Sequence, residues 1–249
     1  MPNLANESFK LPSSYGFSGT NVKQLASAGS ANQTLVTIVL DKSGSVGGFW
    51  NTMAKAVESV VKACSLSPRA DSLMLRLVTF NGKLEEVHGF KPLAECNLGD
   101  YEASKIGRCG GNTALFDATL NCIQATTTYA KQLNGQDIEA NGIVIIITDG
   151  EDNESTVTPS TVGDATREAL HSEDLESLVT ILVGVNASGG LNRYLDKFKT
   201  DAGLSQYVSI DDATDRKIAK LADFVSKSVS AQSQALGTGG PSQAIALTV

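Results

Sequence analysis

Three stretches limit most strongly what this chain can fold into. Leu35-Val36-Thr37-Ile38-Val39-Leu40, Ile143 to Ile147 and Leu178 to Val185 are almost wholly apolar and rich in β-branched residues. A strand with one wet face alternates apolar and polar residues; a strand covered on both faces does not. These runs therefore predict central strands enclosed between two layers. Between them, apolar residues recur at helical spacing. Trp50, Met53, Ala54, Val57, Val60, Val61 and Cys64 form one such set, and Pro68 blocks its continuation. Leu115, Ala118, Cys122, Ala125, Tyr129 and Leu133 form a second. Further helices are predicted over 162–171, 191–199 and 218–229. Strand alternating with helix predicts an α/β fold: a Rossmann-like, doubly wound, mostly parallel sheet of about six strands, with helices on both faces.

One pair of strands breaks the parallel pattern. Leu73 to Phe80 and Leu84 to Val87 flank Asn81-Gly82. Asn-Gly between strand-like runs predicts a tight hairpin, with both turn residues at positive φ and one antiparallel strand at a sheet edge. Gln206 to Ile210 adds a short strand. Residues 1–33 are polar, with no sustained period, and predict an irregular N-terminal extension holding one strand at most. The regular domain spans 34–231. Residues 232–249 predict a flexible C-terminal tail, whose alternating Ile245, Leu247 and Val249 suit pairing with a sheet edge or a partner groove.

Composition narrows the function. The chain has 249 residues, 41% of them hydrophobic, enough for one full core. Twenty basic and 27 acidic side chains give a net charge of −7. Nucleic-acid binding needs a basic surface to displace counterions, and anionic lipid attracts the same charge, so neither partner is expected. No apolar run approaches the ~20 residues a bilayer requires. The first residues, Met1-Pro2-Asn3-Leu4, open neither a basic nor an apolar leader region, so a cytoplasmic protein is expected. Cys64, Cys96, Cys109 and Cys122 lie far apart with no C-x-x-C pair, which reads as reduced thiols rather than a zinc site.

In open α/β sheets, sites form at the carboxyl ends of strands. The first central run ends in Asp41-Lys42-Ser43-Gly44-Ser45, and the run at 143–147 ends in Thr148-Asp149-Gly150. If those strands are neighbours, two carboxylates share one crevice, where a cation relieves their repulsion. Ser43 and Ser45 add two hydroxyls. Thr113, after Gly110-Gly111-Asn112, adds a third at a helix start. The donors are all oxygen, which selects Mg²⁺, with Mn²⁺ or Ca²⁺ as alternatives.

This pattern resembles the metal ion-dependent adhesion site of the von Willebrand factor A family. Asp41-x-Ser43-x-Ser45, Thr113 and Thr148-Asp149-Gly150 fill every motif position in the family's order, and the resemblance covers about 34–231. It implies that Asp41, Ser43, Ser45, Thr113 and Asp149 hold a divalent cation, directly or through water. It also implies that a partner protein supplies an Asp or Glu carboxylate to the open position. Members without a leader often work with AAA+ ATPases or in stress-response and conflict systems, so a non-enzymatic intracellular interaction module is the leading expectation.

Two other functions compete. A Mg²⁺-dependent phosphohydrolase could use Asp41 as nucleophile, but the position two residues on, where an acid/base aspartate would stand, is Ser43. An extracellular adhesin is the other. Glu151 and Asp152 read as a solvated loop, His88 and His171 as structural or exposed, and Trp50 as the first core residue of its helix.

Overall fold

The computed structural model describes residues 5–11 and 15–238. Its sheet has eight strands, more than the six expected, in the order β1-β2-β5-β4-β3-β6-β7-β8. The strands are β1 (Asn6–Phe9), β2 (Phe17–Thr20), β3 (Asn32–Asp41), β4 (Leu73–Phe80), β5 (Leu84–Pro92), β6 (Glu139–Thr148), β7 (Ser177–Val185) and β8 (Gln206–Ile210). The helices are α1 (Val22–Ser27), α2 (Trp50–Ser65), α3 (Leu115–Asn134), α4 (Pro159–His171), α5 (Gly189–Asp201) and α6 (Asp215–Thr238). Strands β4, β3, β6, β7 and β8 run parallel, while the β4–β5 and β1–β2 pairs are antiparallel.

The three apolar runs occupy the sheet centre because each has both faces covered. On β3, Val36, Ile38 and Leu40 point toward the core built on α2 and α6, and Leu35 and Val39 point toward the core under α3, α4 and α5. Strands β6 and β7 divide the same way: Ile143, Ile145, Val183 and Val185 lie with the first core, Val144, Ile146 and Leu182 with the second. Each such side chain, fully buried, contributes roughly 1.5–3 kcal/mol relative to exposure. Thr158 starts α4 by accepting from Thr161 N, with Pro159 in the first turn, where a missing N–H is harmless.

Three sequence expectations are corrected. The first concerns 1–33, which is not irregular: β1, β2 and α1 extend the sheet beyond β5. The cause is tertiary. Phe17 is buried against Phe90 and Tyr129, and the Phe90 and Tyr129 rings stack with centroids 4.8 Å apart. Glu86 Oε1 accepts both Ser18 N (2.9 Å) and Ser18 Oγ (2.7 Å). The second is β5, antiparallel as expected but not at the edge, because β2 pairs with it. Its turn is also different. Phe80 pairs with Leu84, leaving Asn81-Gly82-Lys83 as a three-residue connection, and neither Asn81 nor Gly82 is at positive φ. The third is the C-terminal side, where α6 continues through 232–238. Gln232 and Ser233 are buried, Asn141 Nδ2 donates to Gln232 O at 2.6 Å, and Arg69 Nε donates to Ser233 Oγ at 3.1 Å. Ile245, Leu247 and Val249 lie outside the described residues.

Docking of β2 requires a glycine in β5. A Cβ on Gly89 would stand 1.9 Å from Ser18 O, a backbone atom that cannot yield. Gly89→Ala is expected to cost about 2–3 kcal/mol. The loss would be read as a lower Tm, together with protease cleavage before residue 20 that the wild type resists.

Candidate metal site at the carboxyl ends of β3 and β6

Strands β3 and β6 are hydrogen-bonded neighbours, so Asp41 and Asp149 meet at one end of the sheet, as the crevice argument requires. The donors then connect through short bonds. Asp41 Oδ1 accepts Ser43 N at 2.8 Å, and Asp41 Oδ2 accepts Thr148 Oγ1 at 2.6 Å. The hydroxyls of Ser43 and Ser45 are 3.2 Å apart, and Ser45 Oγ donates to Asp149 Oδ1 at 2.7 Å. Thr113 arrives from the loop before α3. A Cβ placed on Gly150 would lie 3.5 Å from Thr113 Oγ1 and 4.0 Å from Asp41 Oδ2, so those two oxygens border one small space. All five expected residues are brought together. Thr113 makes no side-chain capping bond to α3, whose N-cap is Ala114, so its hydroxyl is not used by the helix.

The carboxylates are poorly compensated by the protein alone. Burial raises the Asp41 carboxyl above its ordinary range, against the pull of hydrogen bonds from Thr148 and Ser43. Burial also pushes Asp149 up to about 6; the Asp41 charge adds to the rise, and the Ser45 hydroxyl opposes it. Two carboxylates and three hydroxyls, closely set and short of positive charge, fit a hard divalent cation. Among the described residues no group of three or more His, Cys, Asp or Glu side chains is placed to hold a metal ion. Any cation centre here therefore depends on the hydroxyls.

The residues around the donors do structural work that the sequence did not announce. Thr113 N donates to Asn153 Oδ1 (2.8 Å) and Asn153 N to Thr113 O (3.0 Å), a reciprocal pair across two loops. Asp152 is not merely solvated: with Ser155 it accepts Phe116 N, satisfying the first turn of α3. Glu151 is exposed. Lys42, buried, pairs with Glu85 at 2.5 Å and lies beneath Gly107. Trp50 Nε1 donates to Ala103 O and Gly107 O, both at 3.1 Å, so it fastens that loop to α2. His88 faces Tyr101 Oη at 3.0 Å, and burial lowers it to about 4. Thr148 had a signal, its place directly before Asp149; Asn153 had none.

The site therefore carries a pH dependence of definite sign. A carboxyl raised from about 3.9 to about 6 binds a proton in the folded state that the unfolded chain lacks. Its contribution to stability is present below that window and declines as pH rises through 6. His88 acts oppositely, because its folded value is lowered, and its contribution is lost as pH falls toward 4. Cation binding competes with the Asp149 proton alone of these two. Mn²⁺ affinity, measured by titration, is expected to be about fourfold weaker or more at pH 5.5 than at pH 7.5. A pH-independent affinity would show that the Asp149 carboxyl is not held near 6 in the metal-free site.

The von Willebrand factor type A domain family matches residues 36–225, and the chain belongs to that family. Domains of this kind generally mediate metal-dependent protein interactions. No curated protein sequence matches. Among solved structures the fold resembles the PilB minor pilin of Streptococcus sanguinis, with 14% identity and a TM-score of 0.58, covering 85% of this chain and 64% of the pilin. It also resembles proximal thread matrix protein 1 of the mussel byssus, whose metal ion-dependent adhesion site is occupied by zinc. There the identity is 16% and the TM-score 0.55, covering 79% of this chain and 48% of that one. A third is SpaC, a pilus adhesin of Lactobacillus rhamnosus GG, with 10% identity and a TM-score of 0.56, covering 79% and 30%. The chain spans less than two thirds of each, and at these identities the likeness is one of fold. Among the described residues no helix is long and apolar enough to cross a membrane.

Proposed function

We propose that the protein is a non-enzymatic interaction module that holds Mg²⁺ between Asp41, Ser43, Ser45, Thr113 and Asp149 and takes a partner's Asp or Glu carboxylate there. The observation that carries this reading is the convergence of Asp41 and Asp149, both held high by burial, beside Ser43, Ser45 and Thr113. Two carboxylates balance a divalent charge without exceeding it, so the centre can still accept an anionic oxygen from outside. When bound, the cation would supply Lewis acidity toward a partner carboxylate; Asp41, Ser43, Ser45, Thr113 and Asp149 would hold it, and their neighbours fix the loops that present it. Asp41 gives one carboxylate oxygen to Ser43 N and the other to Thr148 Oγ1, and Ser43 stands where a phosphohydrolase of this kind would need an acid/base aspartate, which favours the cation-holding reading.

The setting proposed is an intracellular complex of the stress-response, conflict or ATPase-associated kind, with an AAA+ ATPase as the candidate partner. The four cysteines support a reducing compartment: all are free thiols, with Cys64 and Cys122 buried. Capture of partners on the tagged protein from native lysate tests both parts. Partners held in Mg²⁺ and lost both in EDTA and with Thr113→Ala are the expected result, and their identity names the complex. Partners retained under all three conditions would show that binding uses another face. Disulfide-bonded protein from the native source would overturn the intracellular setting.

A further inference from the structure

Asn81 opens the turn between β4 and β5 and stands outside the donor pattern, yet it grips the loop that delivers Thr113. Asn81 Nδ2 donates to Gly110 O at 2.7 Å, and Ala114 N donates to Asn81 O at 2.8 Å. These two bonds hold the loop on either side of Thr113. Between them Gly111 adopts φ +83°, a conformation open to glycine at little cost, and its carbonyl accepts Gly44 N at 3.2 Å. Gly44 sits between Ser43 and Ser45, so the bond joins the first donor loop to the Thr113 loop. Asn81 stands beside this junction, bonded to the neighbouring Gly110 and close enough that a Cβ added to Gly111 would lie 3.4 Å from Asn81 Nδ2.

The far side of the Thr113 loop is held by the residues after Asp149. Besides the Asn153 pair, Asn112 Nδ2 donates to Glu154 Oε2 at 2.7 Å. Glu154 in turn lies along the hairpin: a Cβ on Gly82 would be 3.5 Å from its Cγ. The Asn81 turn thus closes a ring of loops around the donors. Donor positions in such a site must be held to within about 0.5 Å by groups that do not themselves ligate.

We propose that Asn81 is a positioning residue of the metal site, its side-chain bond to Gly110 setting Gly111 and through it the spacing of Thr113 from Ser43 and Ser45. The proposal rests on the metal-dependent reading above. The residue type follows from the two bonds required. Asn81 Oδ1 accepts Lys83 N at 3.0 Å, closing the turn, while the amide nitrogen reaches Gly110. An aspartate has no donor for the second bond, and a serine can accept the first but is too short for the second.

The test is Mn²⁺ binding by the full chain, followed by the free-ion electron paramagnetic resonance signal, for the wild type, Thr113→Ala, Asn81→Ala, Asn81→Ser and Gly82→Ala. Both Asn81 variants are expected to bind about tenfold more weakly than wild type. Gly82→Ala, which meets only ordinary contact at Glu154, is expected to bind as wild type does. Asn81→Ser keeps the turn bond, so it separates positioning from turn formation and carries the test alone if Asn81→Ala does not fold. Wild-type affinity in Asn81→Ser would overturn the proposal, as would an equal loss in Gly82→Ala. In either case normal wild-type binding with loss in Thr113→Ala leaves the metal reading standing. No Mn²⁺ binding by the wild type, or none lost in Thr113→Ala, would overturn both.

Discussion

Replacing Glu86 by alanine is expected to destabilise the protein by about 3 kcal/mol, lowering Tm by roughly 6–12 °C. Arg76 is completely buried, and its guanidinium lies 5.7 Å from the centroid of Phe17 and 6.0 Å from that of Phe90. Glu86 Oε2 accepts Arg76 Nε at 2.7 Å and is its only acidic partner among the described residues; the other bonds run to Asn121 Oδ1 and Cys122 Sγ. Removing the carboxylate leaves a buried cation with only neutral partners, which costs far more than losing an exposed pair would. It also releases both bonds to Ser18 and so loosens β2. Glu86→Gln keeps an acceptor for Ser18 and should lose less. Thermal melts of the two variants check the ordering; equal Tm values for wild type and Glu86→Ala would show that the pair contributes nothing.

The second large effect is at the site. Asp149→Asn is expected to weaken Mn²⁺ binding by more than about a hundredfold, since loss of a ligand exceeds the 10–100-fold cost of disturbing its supports. Metal-dependent partner capture should disappear with it. The same substitution should leave Tm in EDTA unchanged or raised at pH 7.5. There the wild-type carboxylate is ionised against burial and the Asp41 charge, whereas an asparagine oxygen still accepts Ser45 Oγ without that cost. Loss of binding without loss of stability marks a functional group rather than a structural one. Retained Mn²⁺ affinity in Asp149→Asn would remove the residue from the ligand set.

What the sequence by itself determined is the centre of the molecule. The runs on β3, β6 and β7 are apolar on both faces because each face has a helical layer to cover it, and this is a local signal. Asp41, Ser43, Ser45, Thr113 and Asp149 were legible because they stand directly after those runs or at a helix start, where strand ends place them together. Only the tertiary structure decided the periphery. The four-residue strands β1 and β2 are too short to show a period, and their place depends on Tyr129 and Glu86, remote in the chain. The last turns of α6 carry buried Gln232 and Ser233, whose partners Asn141 and Arg69 lie on other elements, so hydropathy gave no sign of helix there. Asn81 likewise read as a turn former, because the carbonyl of Gly110 reaches it only through the fold. Periodicity records which face of an element is buried; it is silent on hydrogen bonds between segments far apart in sequence, and those bonds fix this protein's edges and the supports of its site.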